Sequence, residues 1–417
     1  MEIISRIRNS SAVRRFIIFV SIMGPGIITA NVDNDAGGIT TYSLAGADFR
    51  YAFIWSLIPI MMALVLVQEM SNRMGVVTGK GLSSLIREKF GIRITFYLIL
   101  LILVTNFGNI VAEFAGIAAS MEIFGVHKAI SVPVCAILVW LLVLKGNSRS
   151  VEKIFLAACI FYSSYIISGF MVHPDWKSVA TGFKPQLSFD KSYLMMFVGV
   201  VGTTIAPWMQ FYQQASVSEK GITTREYKYS VLDTIVGCVL VNVIAFFIIV
   251  VCGSELYRGA GIHPVQTADD AAKALMPLAG QYCSYLFAFG LLNASLFAAS
   301  VLPLSTSYTV CESLGWETGL NRNFSDAPQF YSIYTLLIAI GASIIMLPGI
   351  PLIPIMLVSQ VVNGLVLPVV LVCMLIIIND RKVMGEYANT KVLNIFSVAV
   401  VLGVSALSLM LAVSYFM

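Results

Sequence analysis

Charge is what this 417-residue chain has least of: Asp, Glu, Lys and Arg together make up 12% of it. A soluble domain carries about 25%, and half that amount cannot coat a soluble surface of this size. The shortage excludes a secreted globular domain, a coiled coil and a disordered chain. It also argues against a nucleic-acid partner, because the formal +4 is spread over a very large apolar body. Histidine is scarce as well, with three residues, His127, His173 and His263. The seven cysteines are scattered and form no CxxC pair, which excludes a disulfide framework and a thiolate metal site. GxGxxG, GxxxxGK[ST] and any nucleophile–base pairing are missing too, so neither an enzyme nor a resident cofactor is expected.

What is present is apolar length. Hydrophobic residues make up 58% of the chain and the mean hydropathy is +0.87, the composition of an all-α integral membrane protein. A crossing helix needs about 20 mostly apolar residues. By that measure the sequence predicts eleven spans, near 16–47, 52–72, 94–124, 129–145, 151–171, 193–217, 231–257, 283–309, 329–348, 352–379 and 393–416. The first follows Arg14-Arg15 and has no small-residue cleavage site, so no removable signal peptide is expected. With the N-terminus inside and the C-terminus outside, 19 of the 26 Lys and Arg fall in inner segments and 7 in outer ones. That bias has the sign of the positive-inside rule. A multi-pass protein of the cell membrane is expected, with no obligate protein partner.

Two spans are interrupted. The first runs apolar from Phe16 to Ile28, then reads Thr29 to Gly38 with Asp33 and Asp35 at bilayer depth. Two acids in a continuous lipid-facing helix would cost several kcal/mol, and Gly37-Gly38 weakens such a helix further. The sixth span is broken by the segment Gly202 to Trp208, where Pro207 removes a donor and crowds the preceding turn. Irregular backbone at membrane depth is tolerated only where protein or a water-filled cavity surrounds it. Two breaks at matching positions point to a transporter site, with carbonyls and half-helix ends turned to a cation. One transporter domain covering 1–417 is expected, an inverted repeat of about 16–171 and 193–379 followed by an eleventh helix at 393–416.

The residues at these breaks resemble the NRAMP family of divalent transition-metal transporters, which use the LeuT fold. The resemblance is carried by Gly24-Pro25-Gly26, Asp35-Ala36-Gly37-Gly38 and Ala45-Gly46-Ala47-Asp48-Phe49 in the first span, and by Val201 to Trp208 in the sixth. Ala112-Glu113-Phe114-Ala115-Gly116 resembles the family's third helix, and Ser359-Gln360-Val361-Val362 with Leu367-Pro368 its tenth. The resemblance implies that Asp35 is the metal-binding aspartate. It also shows departures. Gly38 stands where the family has an asparagine ligand, Ala206 where it has a methionine thioether, Trp208 where it has a histidine, and Ile110 where it has an acid on the third helix. Asn293 to Phe297 replaces the polar signature of the eighth helix.

These departures give an expectation about substrate. A thioether favours soft ions, and Ala206 removes it. Gly38 removes a side-chain oxygen and is expected to open space. Mg²⁺ gives up its waters reluctantly and uses one or two carboxylates. Uptake of partly hydrated Mg²⁺, and of Mn²⁺ with it, by alternating access is therefore expected. The departures are also similar to those of the NRAMP-related magnesium transporter branch. The expected cation positions are Asp35, Gly38, Ala206 and Gln360. Asp33, Asn34, Glu113, Thr203, Pro207 and Trp208 are expected to line the site, with Asn31 and Thr204 as further polar lining. A capping role is the other reading of Asp35, and direct ligation the other reading of Asp33. Asn293 is read as an interhelical hydrogen-bonding residue, Asp233 as a helix-start acid, and Glu255, Asp269 and Asp270 as acids of a solvated outer loop. With Ile110 and Trp208 at the family's relay positions, transport without proton coupling is expected. The alternatives are a proton-coupled Mn²⁺/Fe²⁺ transporter, an amino-acid carrier on the same fold, and a membrane sensor that binds metal without moving it.

Overall fold

The computed structural model describes residues 24–145, 163–259, 265, 268–273, 282–320 and 322–414. Among these, all regular structure is helical, without a strand. The first span is two short helices, α1 (Pro25–Val32) and α2 (Ala36–Phe49). Next come α3 (Ile54–Thr78), α4 (Leu82–Ile123), α5 (Lys128–Lys145), α6 (Ser163–Met171) and the surface turn α7 (Trp176–Thr181). The sixth span is again two helices, α8 (Lys191–Thr204) and α9 (Pro207–Glu219). The remainder is α10 (Tyr227–Glu255), α11 (Ala268–Ala272), α12 (Cys283–Leu314), α13 (Pro328–Met346), α14 (Leu352–Ile378), α15 (Arg381–Met384) and α16 (Lys391–Ser414).

Among the described residues, nine segments are long and apolar enough to cross a membrane, with α8 and α9 taken together. The broken first span and α6 account for the other two of the eleven expected. Residues 16–23 of span one and 151–162 of span five lie outside the described residues. Spans expected at 94–124 and 329–348 correspond to the later part of α4 and to α13. Helix α4 begins earlier than expected because it joins two helical pieces across Gly91, which leaves helical geometry at φ 76°, ψ 172°. That kink separates a short amphipathic piece from the crossing helix behind it.

Both breaks are narrower than the sequence suggests. Only Asp33–Asp35 are non-helical in the first, and Gly37-Gly38 belong to the first turn of α2. In the second, Gly202 to Thr204 stay helical, and the chain turns at Ile205 and Ala206. Pro207 therefore does not disrupt a turn. It occupies the first position of α9, where its missing N–H has no helical partner to lose.

Small residues set how close the helices come. A Cβ on Gly202 of α8 would overlap Gly364 and the Gln360 carbonyl of α14. A Cβ on Gly26 of α1 would overlap the Thr234 backbone of α10, which in turn approaches through Gly237. Without a hydrophobic drive between helices in lipid, such close backbone approach supplies the packing energy. Around these seams α2 and α8 meet α14, α1 and α2 meet α10, and α4 meets α12 and α14. The breaks are enclosed by this bundle.

Candidate functional site

The first break is built by its own polar residues. Asp35 takes the N-cap position of α2, and its Oδ1 accepts the Gly38 N–H at 2.6 Å. A carboxylate here also faces the positive end of the helix dipole. Capping is thus one role of Asp35, and it engages one of its two oxygens. From α4, Glu113 Oε2 accepts the Ala36 N–H at 3.2 Å, so a second acid supports the same helix end.

Asp33 is different. It is 2% exposed, and neither of its carboxyl oxygens has a hydrogen-bond partner among the described residues. The second oxygen of Glu113 and the Thr203 hydroxyl are buried and unpartnered as well. No lysine or arginine pairs with Asp33, Asp35 or Glu113 among the described residues; the ion pairs of the molecule lie elsewhere, as between Arg73 and Glu69 or Lys89 and Asp380. Three acids are therefore buried at bilayer depth without a basic counterpart.

The two breaks meet here. Thr203 of α8 lies beside Gly38, its Oγ1 3.2 Å from where a Cβ would stand. One residue on, Thr204 Oγ1 hydrogen-bonds to the Tyr42 hydroxyl of α2 at 2.7 Å. The α14 residue Gln360 points its Nε2 at Gly37, where a Cβ would overlap it, and that nitrogen has no partner. Behind Gln360 stand two asparagines. Asn363 Nδ2 donates to Gln360 Oε1 at 2.8 Å and to Asn109 Oδ1 at 3.1 Å, while Asn109 Nδ2 returns a bond to Asn363 Oδ1 at 2.9 Å.

Several expectations are corrected. Gly38 does not widen the site: the Asp33 carbonyl occupies the space where its side chain would be, and its N–H is spent on Asp35. Trp208, in the first turn of α9, is closed off from solvent. Its ring is fully buried, tilted against Tyr212 at 6.3 Å, and its carbonyl accepts from Ser305. Ala206 is buried at the N-terminus of α9, and its carbonyl already accepts the Met209 N–H. Asp233 is a helix-start acid, but for another helix: from inside α10 it accepts the Gly24 and Gly26 N–H groups at 3.2 and 2.7 Å, capping α1. Asp270 lies in the short helix α11 and pairs with Lys273. Asn34 is buried within the first break, Asn31 belongs to α1 and Asn293 to α12. His127 and His173 lie in loops away from the breaks, and His263 is outside the described residues.

Asn109, Asn363 and Tyr42 were not singled out from the sequence. The available signal was polarity inside an apolar span, with Asn109 four residues before Glu113 and Asn363 three after Gln360, each pair on one helix face.

The assembled groups are carboxylates, hydroxyls, an amide and the free backbone of two helix ends. No three His, Cys, Asp or Glu side chains converge on one point among the described residues. An ion here would complete its shell with carbonyls, amide oxygen or retained water.

Comparison with known proteins gives the same picture at larger scale. Residues 26–414 match the family model for natural resistance-associated macrophage protein-like (Nramp) proteins. A divalent metal cation transporter, MntH, of Yersinia pestis is 24% identical over 405 residues, covering 95% of this chain and 96% of that relative. Among solved structures, the manganese transporter of Eremococcus coleocola, crystallised with an aromatic bis-isothiourea compound, superposes with a TM-score of 0.79 at 20% identity, covering 94% of this chain and 86% of that one. Mhp1, a nucleobase-cation-symport-1 family transporter, superposes at 0.60 with 12% identity over 94% of this chain and 89% of its own. The architecture shared with these structures is the LeuT-type fold.

Proposed function

We propose, from the premise that this chain belongs to the natural resistance-associated macrophage protein-like (Nramp) family, that it is a divalent metal cation transporter whose substrates are Mg²⁺ and Mn²⁺. The cation sits partly hydrated at the breaks, held by Asp35 with Asp33 and the Gln360 amide near it. One observation carries this reading: Asp33 and Asp35 of the first break and Glu113 of α4 beside it are buried without a basic partner among the described residues. Unpaired carboxylates cost several kcal/mol each in a low-dielectric interior. A divalent cation, with waters bridging what it does not touch, neutralises them in the loaded state. The relatives named as divalent metal and manganese transporters agree with the substrate class.

Ligand softness supports Mg²⁺ over a strict transition-metal preference. The position that would hold a thioether in the family pattern is the methyl of Ala206. Met356, four residues before Gln360, has its Sδ engaged by the Thr40 hydroxyl at 3.5 Å. The donors left facing the break are oxygen. For transport without proton coupling, the support is apolar packing at the relay position: Ile110 is buried and lies against Gly341 of α13. Entry then follows the membrane potential, worth about 4.6 kcal/mol per 100 mV for a divalent ion, twice the single-charge figure. The bias of Lys and Arg toward the inner segments supports a cytoplasmic N-terminus and a C-terminus outside the cell membrane.

One observation favours a second, proton-coupled reading. Glu113 and Asp35 both hold the first turn of α2, with no basic residue paired to either among the described residues, and two carboxyls so placed favour keeping a proton at the site. An entering cation displaces it, and coupling follows if the proton leaves on the side the metal is delivered to.

The test is Mg²⁺ and Mn²⁺ uptake into proteoliposomes by the wild type and by Asp35→Ala. The reading expects uptake of both ions by the wild type and its loss, about 100-fold or more, in the variant. Equal uptake in the two proteins removes the site assignment.

A further inference from the structure

Gln360, Asn363 and Asn109 form a closed set of buried amides, and their pattern has a consequence for the cation site. As they stand, Asn363 donates to Gln360 and to Asn109, and Asn109 donates back. Gln360 therefore presents its amide nitrogen, not its oxygen, to the first turn of α2, and that nitrogen has no acceptor among the described residues. A nitrogen carrying hydrogens repels a cation. To serve as a ligand, Gln360 must turn its amide by half a revolution.

It cannot turn alone. With Gln360 reversed, its nitrogen would face the Asn363 nitrogen across the 2.8 Å contact. If Asn363 reverses to offer oxygen, that oxygen and its new nitrogen meet the Asn109 oxygen and nitrogen, like against like, across 3.1 and 2.9 Å. When Asn109 reverses too, all three contacts re-form with every donor and acceptor exchanged. The shared Asn363 oxygen then accepts two bonds, which its two lone pairs allow. The set has two fully bonded arrangements, and every partial turn leaves matched poles facing each other in a buried place.

We propose that Asn363 and Asn109 are positioning residues of the cation site: the three amides turn together when the ion binds, exchanging the Gln360 nitrogen for its oxygen at the break. The proposal rests on the reading of Asp35 and Gln360 as the cation site. Asn109 shares its helix face with Glu113, which holds the Ala36 N–H, so α4 supports the carboxylate side and the amide side of the site together.

The experiment measures KM and kcat for Mn²⁺ uptake into proteoliposomes. Once ionised, the carboxyl in Asn363→Asp can only accept, so it fixes the Gln360 nitrogen inward and the oxygen on the ion. A fall in KM of about threefold or more, with kcat little changed, is expected. Asn363→Leu removes the relay and is expected to raise KM by about threefold or more. In a Gln360→Ala background both substitutions should lose their effect, because they act through the missing amide. Persistence of the Asn363→Asp effect in that background would show that its added charge acts alone and would overturn the relay, as would an unchanged KM in both single variants. If Asn363→Leu does not yield a monodisperse protein, the pair Asn363→Asp and Gln360→Ala decides by itself. Asp35→Ala is carried alongside. Full uptake in that variant removes the site, whereas its loss together with a persisting Asn363→Asp effect removes the relay and leaves the site standing.

Discussion

The acids at the first break show how much one residue's surroundings decide. Asp35 and Asp33 are two positions apart, equally buried, and differently placed. One oxygen of Asp35 is tied to a helix end, while both oxygens of Asp33 are without a partner among the described residues. Asp35 is thereby fixed in direction, which suits a ligand that must be in place before the ion arrives. Gly38 is legible in the sequence as a departure, but its consequence is not. Space around a glycine depends on which backbone approaches it, and here that backbone is the Asp33 carbonyl. Gly38→Asn is accordingly expected to destabilise the protein by about 1–3 kcal/mol through overpacking, read as a lowered midpoint in a thermal melt in detergent. Restored transition-metal preference in a protein of unchanged stability would contradict this. The thioether is a separate matter. Ala206→Met adds a soft donor at the start of α9, and Cd²⁺ should then compete with Mg²⁺ uptake more strongly than in the wild type. Unaltered competition would count against the softness argument.

At the scale of elements, the broken helices were readable because acids, glycines and a proline stand where a lipid-facing helix needs apolar residues. Their limits were not readable, since Gly37, Gly38 and Gly202 hold helical geometry that composition alone discourages. Tertiary packing overrides propensity here: Gly202 is where α8 touches α14, and a larger residue would separate them. Asp233 makes the same point. As an acid near the start of α10 it reads as that helix's own cap, yet it caps α1 from across the bundle. A chain of bonds from Thr29 to Gln213, and from Gln213 to Thr234, runs beside it, tying α1, α9 and α10. Asp233→Ala is expected to cost about 1–2 kcal/mol of stability, the usual loss for a cap, and to leave the residues at the break in place. Thermal unfolding and Mn²⁺ affinity measured together test this. A lost affinity with unchanged stability would assign Asp233 to the site instead.

For the whole molecule, the shortage of charge sorts into two populations. Most Lys and Arg stand outside the apolar spans and bias the topology, and a few acids stand inside the bundle without a basic partner among the described residues. The fold was legible because length, hydropathy and loop charge act on every span alike. The amide relay was not, because it joins residues 254 positions apart, Asn109 and Asn363, that only the folded bundle brings together. At this scale the account also expects transport that follows the membrane potential alone. In proteoliposomes carrying a pH dye, Mg²⁺ uptake should leave the lumen pH unchanged when the potential is clamped. Acidification in step with uptake would instead establish the proton-coupled reading.

The claim on which the rest depends is the place of the ion. Anomalous diffraction from crystals grown with Mn²⁺ locates that place directly. The account predicts one peak between the halves of the first span, within coordinating distance of an Asp35 oxygen and of the Gln360 amide oxygen, and no peak there in Asp35→Ala. A peak elsewhere in the bundle, or one at the break that persists in Asp35→Ala, would contradict it.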